Sequence, residues 1–332
     1  MTPALNVKPL LKRGALVAAA NWEAVVLQFI AESAFKLLLV VPVVAAAFLV
    51  ALLVGGSALE AATGDIGQII ALMLAGLNER PLALAAYVLG VLVIILGGMM
   101  FTVLVKGGAV AVLVRADASA PEVESPPLRM AVVRRAARFD LYRFGADCRR
   151  FFGRYLVLGL LLVAVVYIFA VLTSFYVVTE RGPFVGWTVV ASTISIALVL
   201  GITVINLLYL LTQLVVASEN CSVRVAAARV GRFLSLEHRR IGMLFAVMLV
   251  VVSLATMASI LATTGLGFIG FIPIVGLTVL PLQLAAWLTR GLIFQYLGLT
   301  ALSAYARLYH VTQHTSGSAG APVCPLVPGS SR

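Results

Sequence analysis

The chain has 332 residues, 62% of them hydrophobic and only 11% charged, with a mean hydropathy of +1.10. A soluble domain is about half apolar and a quarter charged, and a disordered chain is poorer still in apolar residues, so both classes are excluded. Lys and Arg number 24 against 13 Asp and Glu, a net charge of +11, which leaves a membrane protein with a basic surface.

In chain order, Lys12-Arg13 followed by Gly14 to Ala20 imitates the start of a secretory signal. Its apolar run is short and breaks at Asn21-Trp22-Glu23, so the segment is expected to be retained. A helix that crosses a bilayer takes about 20 apolar residues. Six stretches qualify: 37–54, 82–105, 155–175, 185–212, 241–262 and 274–289. Nothing alternates like a barrel strand, and lipid cannot satisfy an open sheet edge, so the fold class is an all-α integral membrane protein with six transmembrane helices. Residues 1–311 form one membrane domain, and 312–332, rich in Gly, Ser and Pro, a disordered tail.

Three segments between the spans are amphipathic: 130–154, 222–238 and 291–310. In the first, Leu141, Phe144, Cys148, Phe151 and Tyr155 recur at steps of three and four, with Arg143, Asp147, Arg150 and Arg154 on the other face. Such a helix is expected to lie in the membrane interface, its aromatics among acyl chains and its arginines among anionic headgroups. Val223, Ala226, Val230 and Phe233 beside Arg224, Arg229 and Arg232 give a shorter version, and Tyr296, Thr300, Ser303, Arg307 and His310 make a third polar stripe. The candidate lipid contacts are Arg138, Arg143, Arg150, Arg154, Arg229 and Arg232. Nucleic acid is a poorer partner for this charge, because the opposite faces are apolar. Between the fifth and sixth spans, the uncharged stretch Thr264 to Pro273 is expected to dip into the outer interface.

With the N-terminus inside, 22 of the 24 cations fall on one side and only Arg80 and Arg181 on the other. Lys and Arg accumulate in cytoplasmic loops, so both termini are expected in the cytoplasm of a bacterium, across its inner membrane. The even-numbered spans end in similar tetrads: Leu104-Val105-Lys106-Gly107, Leu211-Thr212-Gln213-Leu214 and Leu288-Thr289-Arg290-Gly291. With a basic-aromatic stretch before each odd-numbered span, they suggest three parallel copies of a two-span unit.

In the fourth span Asn206, Tyr209 and Gln213 share one face, with Ser195 along the same stripe; in the fifth, Ser253, Thr256, Ser259 and Thr263 form a line of hydroxyls. These are either the lining of a polar path or interhelical glue. No Asp or Glu lies deep in a span, which argues against a proton- or sodium-coupled transporter. His310 and His314, four apart, lack a third ligand and read as a solvated helix end, and Cys148, Cys221 and Cys324 form neither a metal set nor a disulfide framework. No GxxxxGK[ST], HExxH or GxSxG occurs, and Glu60, Asp65 and Glu79 in the outer loop are a weak basis for catalysis. No cofactor or metal is expected.

The runs Cys148-Arg149-Arg150-Phe151-Phe152-Gly153-Arg154-Tyr155 and Arg229-Val230-Gly231-Arg232-Phe233-Leu234 each lead into a span, and the membrane portion closes on Ala304-Tyr305-Ala306-Arg307-Leu308-Tyr309. In this layout the chain resembles bacterial six-span proteins related to the membrane domain of glycerophosphodiester phosphodiesterases and to the YciC-like group. The catalytic phosphodiesterase domain is lacking, so the resemblance implies a membrane fold and transfers no activity or site residue. The expectation is a non-enzymatic membrane protein in lipid organisation or an accessory subunit for other membrane proteins. The alternative is a passive transporter or channel lined by the fourth and fifth spans.

Overall fold

The computed structural model of the chain describes residues 7–54, 81–120, 123, 130–137, 139–179, 184–270 and 273–316. Among them are eight helices and no strand: α1 (Val7–Ala20), α2 (Trp22–Val54), α3 (Pro81–Ser119), α4 (Met130–Ala136), α5 (Leu141–Thr179), α6 (Phe184–Glu219), α7 (Val223–Gly270) and α8 (Pro273–Ser316). Five carry windows long and apolar enough to cross a membrane: Trp22–Pro42, Ala85–Ser119, Leu141–Ile168, Ser192–Glu219 and Val223–Phe268. The first window starts well before residue 37, because α2 is continuous from Trp22 and the Glu32–Lys36 pair, 3.7 Å apart, leaves it unbroken.

The chain divides into two compact units: Phe29–Val103, and Met1–Gln28 together with Leu104–Arg332. In the smaller unit the Tyr87 hydroxyl donates to the Pro42 carbonyl at 3.1 Å, and Gly98 lies so close to the Phe35 ring that no β-carbon would fit.

The larger unit changes character along each helix. On α5, Phe144, Cys148, Phe151, Tyr155 and Leu158 are buried, whereas Leu160, Leu161 and Ile168 are half exposed. On α7, Ile241 and Leu244 are buried, but Leu254 and Leu261 are 65% and 69% exposed. Continuous exposed leucine surface of this kind belongs against acyl chains. The buried core is therefore gathered at the basic ends of the helices.

This corrects the interfacial reading of the amphipathic segments 130–154 and 291–310, whereas the segment 222–238 does end at a break in α7, at Glu237 (φ −120°, ψ 26°). The stripe Phe144, Cys148, Phe151 and Tyr155 packs on protein, not acyl chains. A β-carbon on Gly108 would come within 2.5 Å of the Cys148 sulfur, and one on Gly107 within 3.5 Å of the Phe151 β-carbon. Nor is 141–154 a separate helix, since α5 runs unbroken into its apolar half. Residues 291–310 are corrected too. From Leu299 to Tyr309 nearly every face of α8 is buried, Thr300 and Ser303 included, so this half is the axis of the bundle, with α1, α6 and α7 packed on it. The Gly-rich stretch from Thr264 is the last turns of α7 as far as Gly270, and the helix α8 takes in Thr312–Ser316. The remaining tail residues, the loop acids Glu60, Asp65 and Glu79, and Arg138 lie outside the described residues.

Two close approaches fix α1. Its buried face, Leu10, Arg13, Gly14, Val17 and Ala18, has helical spacing. Gly14 meets α8 so tightly that a β-carbon would lie 2.6 Å from the Thr300 carbonyl oxygen. On the α3 side, Arg13 is 1% exposed; its Nε donates to Asp117 Oδ1 at 2.6 Å, and its Nη2 donates to the carbonyls of Asp117 (2.9 Å) and Ala120 (3.0 Å). At the joint with α2, the Asn21 amide donates to the carbonyls of Val17 and Ala136, at 2.9 and 3.1 Å.

Removing either partner of Arg13–Asp117 leaves a buried charge alone. Arg13→Met or Asp117→Leu should each cost about 3–5 kcal/mol, and the double replacement less than the sum. Thermal unfolding of the purified protein measures this, and additive losses would count against the pairing. Gly14→Ala should destabilise by about 1–3 kcal/mol through overpacking. Gly153→Ala, which meets nothing within 4 Å, should stabilise by about 0.5–1 kcal/mol; the same assay compares the two.

Candidate functional site

The turn between α6 and α7 is where four helices of the larger unit are tied together. Asn220 has φ 52°, a left-handed conformation that Asn tolerates, and it ends α6 tightly enough for α7 to begin at Val223. The preceding Glu219 carboxylate takes Arg229 of α7 as an ion pair and accepts hydrogen bonds from the Tyr309 hydroxyl and the Gln313 amide of α8. Arg154 of α5 donates to the Asn220 side chain at 2.7 Å. Phe233 meets Tyr309 edge-on, ring centroids 5.2 Å apart.

Two of the six sequence-nominated arginines, Arg154 and Arg229, thus serve the bundle itself. Arg143 and Arg150 on α5 and Arg232 on α7 are exposed, and so are Arg134, Arg135, Arg149, Arg224 and Arg239. Arg143 reaches Asp140 at 3.5 Å, and Arg150 lies over the Phe151 ring. Four other acids are used from within: Asp117 by Arg13, Asp147 by Arg115, Glu219 by Arg229 and Glu237 by Arg240. The outer surface of the basic end is left with arginines that no described carboxylate neutralises. Spacing assigned Arg143, Arg150 and Arg154 to one stripe but could not say which of them meets a partner.

The polar line of α6 does not behave as one lining. Asn206 is exposed, Tyr209 half-buried and Gln213 fully buried. The Lys106 ammonium sits 4.8 Å from the centre of the Tyr209 ring, and the Tyr155 hydroxyl donates to the main-chain carbonyl of Gln213 at 2.8 Å. Gln213 thus helps join α5 to α6, while Asn206 points away. The hydroxyls of Thr203, Thr212, Thr256 and Thr263 all donate to carbonyls one turn back on their own helices.

A groove of about 450 Å³ runs between α7 and α8, with Ala255, Ala258 and Ala262 on one wall and Leu282, Ala286 and Arg290 on the other. The sequence showed Ser259 and Thr263 only as a hydroxyl line and Arg290 only as a helix exit; that they share a groove needed the helix pairing. Cys148 and Cys221 are buried and form no disulfide with a described residue, and among the described residues no three His, Cys, Asp or Glu come together as a metal set. Comparison with family models, curated proteins and solved structures returns no match.

Burial also acts on two tyrosines of the α8 axis. Both Tyr305 and Tyr309 titrate above the ordinary value, chiefly through desolvation. The folded state therefore holds these protons more tightly than the unfolded one. Stability is therefore unaffected by their titration below the ordinary tyrosine pKa of about 10 and falls as pH rises above it, because the fold disfavours the ionised form. The buried Tyr305 hydroxyl makes no hydrogen bond to a described residue. Tyr305→Phe should gain about 1 kcal/mol at neutral pH and flatten the loss of stability above about pH 10. Thermal unfolding across that range is the check, and an unchanged alkaline slope would contradict it.

Proposed function

We propose that the chain is a non-enzymatic, multi-pass protein of a bacterial inner membrane that organises anionic lipid at the cytoplasmic face, alone or as an accessory to other membrane subunits. The reading takes 274–289, within α8, as a sixth span, places both termini in the cytoplasm, and treats the chain as three two-span copies within the layout group described above. The 22-to-2 division of cations between the two sides supports the orientation.

The observation that carries the function is the internal use of acids beside the external surplus of arginines. Arg149, Arg150, Arg232 and Arg239 are exposed and form no ion pair with a described carboxylate. On α5, Arg149 and Arg150 stand about 15 Å, ten residues of helix, from the exposed leucines Leu160 and Leu161. A basic side chain close to an anionic bilayer surface is worth about 1 kcal/mol, so four of them supply a firm electrostatic contact that high salt weakens.

The intact protein is the right probe, because an isolated 138–155 peptide would expose the aromatic face that the fold buries. Reconstituted into mixed bilayers, it should show tryptophan quenching by brominated phosphatidylglycerol several-fold above that by brominated phosphatidylcholine at equal mole fraction. Replacing Arg149, Arg150, Arg232 and Arg239 by Gln should abolish most of the preference. Equal quenching by the two lipids in the unaltered protein would rule the reading out.

A further inference from the structure

The groove between α7 and α8 has the polarity of a single phospholipid. Its α7 wall is built from Ala255, Ala258 and Ala262, side chains too small to fill the space, and Leu282 and Ala286 continue the apolar lining on α8. At the end away from the bundle the Gln283 amide donates to the Leu266 carbonyl at 3.3 Å and ties the two helices together. From Leu282 to Arg290 the wall extends eight residues, about 12 Å of helix rise.

The other end is cationic. Arg290 is exposed, pairs with no described carboxylate, and carries its guanidinium toward the bundle over the Phe294 ring, 5.8 Å from the centroid. The Gln283–Leu266 bond sets the antiparallel register and so brings Ser259 opposite the backbone of Arg290. That is about one helical turn, 5.4 Å, deeper than Phe294. The Ser259 Oγ is shielded and has no hydrogen-bond partner among the described residues, whereas the neighbouring Thr263 hydroxyl is satisfied by its own helix. A shielded hydroxyl without a partner is costly unless a ligand supplies an acceptor.

We infer that this groove binds one anionic glycerophospholipid: Arg290 takes the phosphate, the Ser259 hydroxyl donates to an ester carbonyl one turn deeper, and one acyl chain lies along the alanine wall to the Gln283–Leu266 closure. The inference rests on the anionic-lipid reading above and adds a defined site to it. Lipid is the occupant because both walls continue into leucine surface exposed to the bilayer, and because phosphate complements the one charge in the groove. No bond is made or broken.

The test is native mass spectrometry of the full-length protein in mild detergent with added phosphatidylglycerol or phosphatidylcholine. The unaltered chain should retain one phosphatidylglycerol, at least tenfold in preference to phosphatidylcholine. Arg290→Gln should bring the two lipids level, Ser259→Ala should weaken retention several-fold, and Ala262→Phe, which fills the groove, should abolish it. Ala258→Leu serves the same purpose if Ala262→Phe does not fold. Retention unchanged by both the charge and the filling variants would overturn the site. The quadruple arginine variant separates the two ideas: it should keep the single lipid while losing the general anionic preference. A single lipid lost only in that variant would place binding on the exposed arginines and overturn the groove.

Discussion

Each long helix of the larger unit has to satisfy two solvents, and the fold follows from the exchange between them. In the hydrocarbon an exposed leucine costs nothing, whereas in water the same side chain forfeits roughly 1.5–3 kcal/mol. A helix that continues past the bilayer must therefore trade lipid for protein within a turn or two. On α5 the change falls between Leu158, buried, and Leu160, half exposed. On α7 it falls between Met248, 7% exposed, and Val250, 58%. The basic ends of α3, α5 and α7, and the end of α6 beside them, would expose apolar stripes to water if they stood apart. The last half of α8 supplies the common surface they need, and α1 closes over it. Gly14 and Gly108 are the positions where this closure leaves no room for a β-carbon.

The polar groups in the bundle are arranged to leave the charge excess outside. Arg13 is held by Asp117 and two carbonyls, and the pairs Arg115–Asp147, Arg229–Glu219 and Arg240–Glu237 follow the same pattern. Such pairs rarely outdo a well-packed apolar contact in stability. The three that join different helices, Arg13–Asp117, Arg115–Asp147 and Arg229–Glu219, do fix which helices lie side by side, because an arginine displaced by one turn would leave its acid alone. Since the acids are drawn inward, the surplus of cations becomes a property of the surface.

The all-helical, membrane-crossing class was legible because lipid permits few other backbones, and a run such as 82–105 has no other interpretation. The meaning of the amphipathic stripes was not. Phe144, Cys148, Phe151 and Tyr155 have a spacing that identifies an apolar face, but periodicity does not distinguish acyl chains from another helix as its partner. The residue that decides it is Gly108, 40 positions earlier than Cys148, whose lack of a side chain admits the sulfur. The axis role of α8 was hidden for a related reason: Thr300 and Ser303 look like a solvent stripe, yet small hydroxyls also fit closely packed helices. At the candidate site, the arginine-rich composition was plain, but the division between Arg154 and Arg229 in the turn and Arg150 and Arg232 at the surface depends on Glu219 and Asn220, contacts between distant parts of the chain.

That division bears on what the exposed arginines can attract. An exposed guanidinium in water gains little from a single mobile counter-ion, because screening at physiological salt acts within about 8 Å. A bilayer surface is different: it presents many fixed anions at one level, and the exposed leucines of α5 hold the protein at that level. Arg149 and Arg150 are in the same helix as those leucines, so insertion of the apolar half sets the height of the basic half without further ordering. Nucleic acid or an acidic protein would have to meet the same arginines with no such anchor. Charge alone does not choose among these partners; the proposal of a bilayer rests on the helix that carries both the charge and the exposed apolar surface.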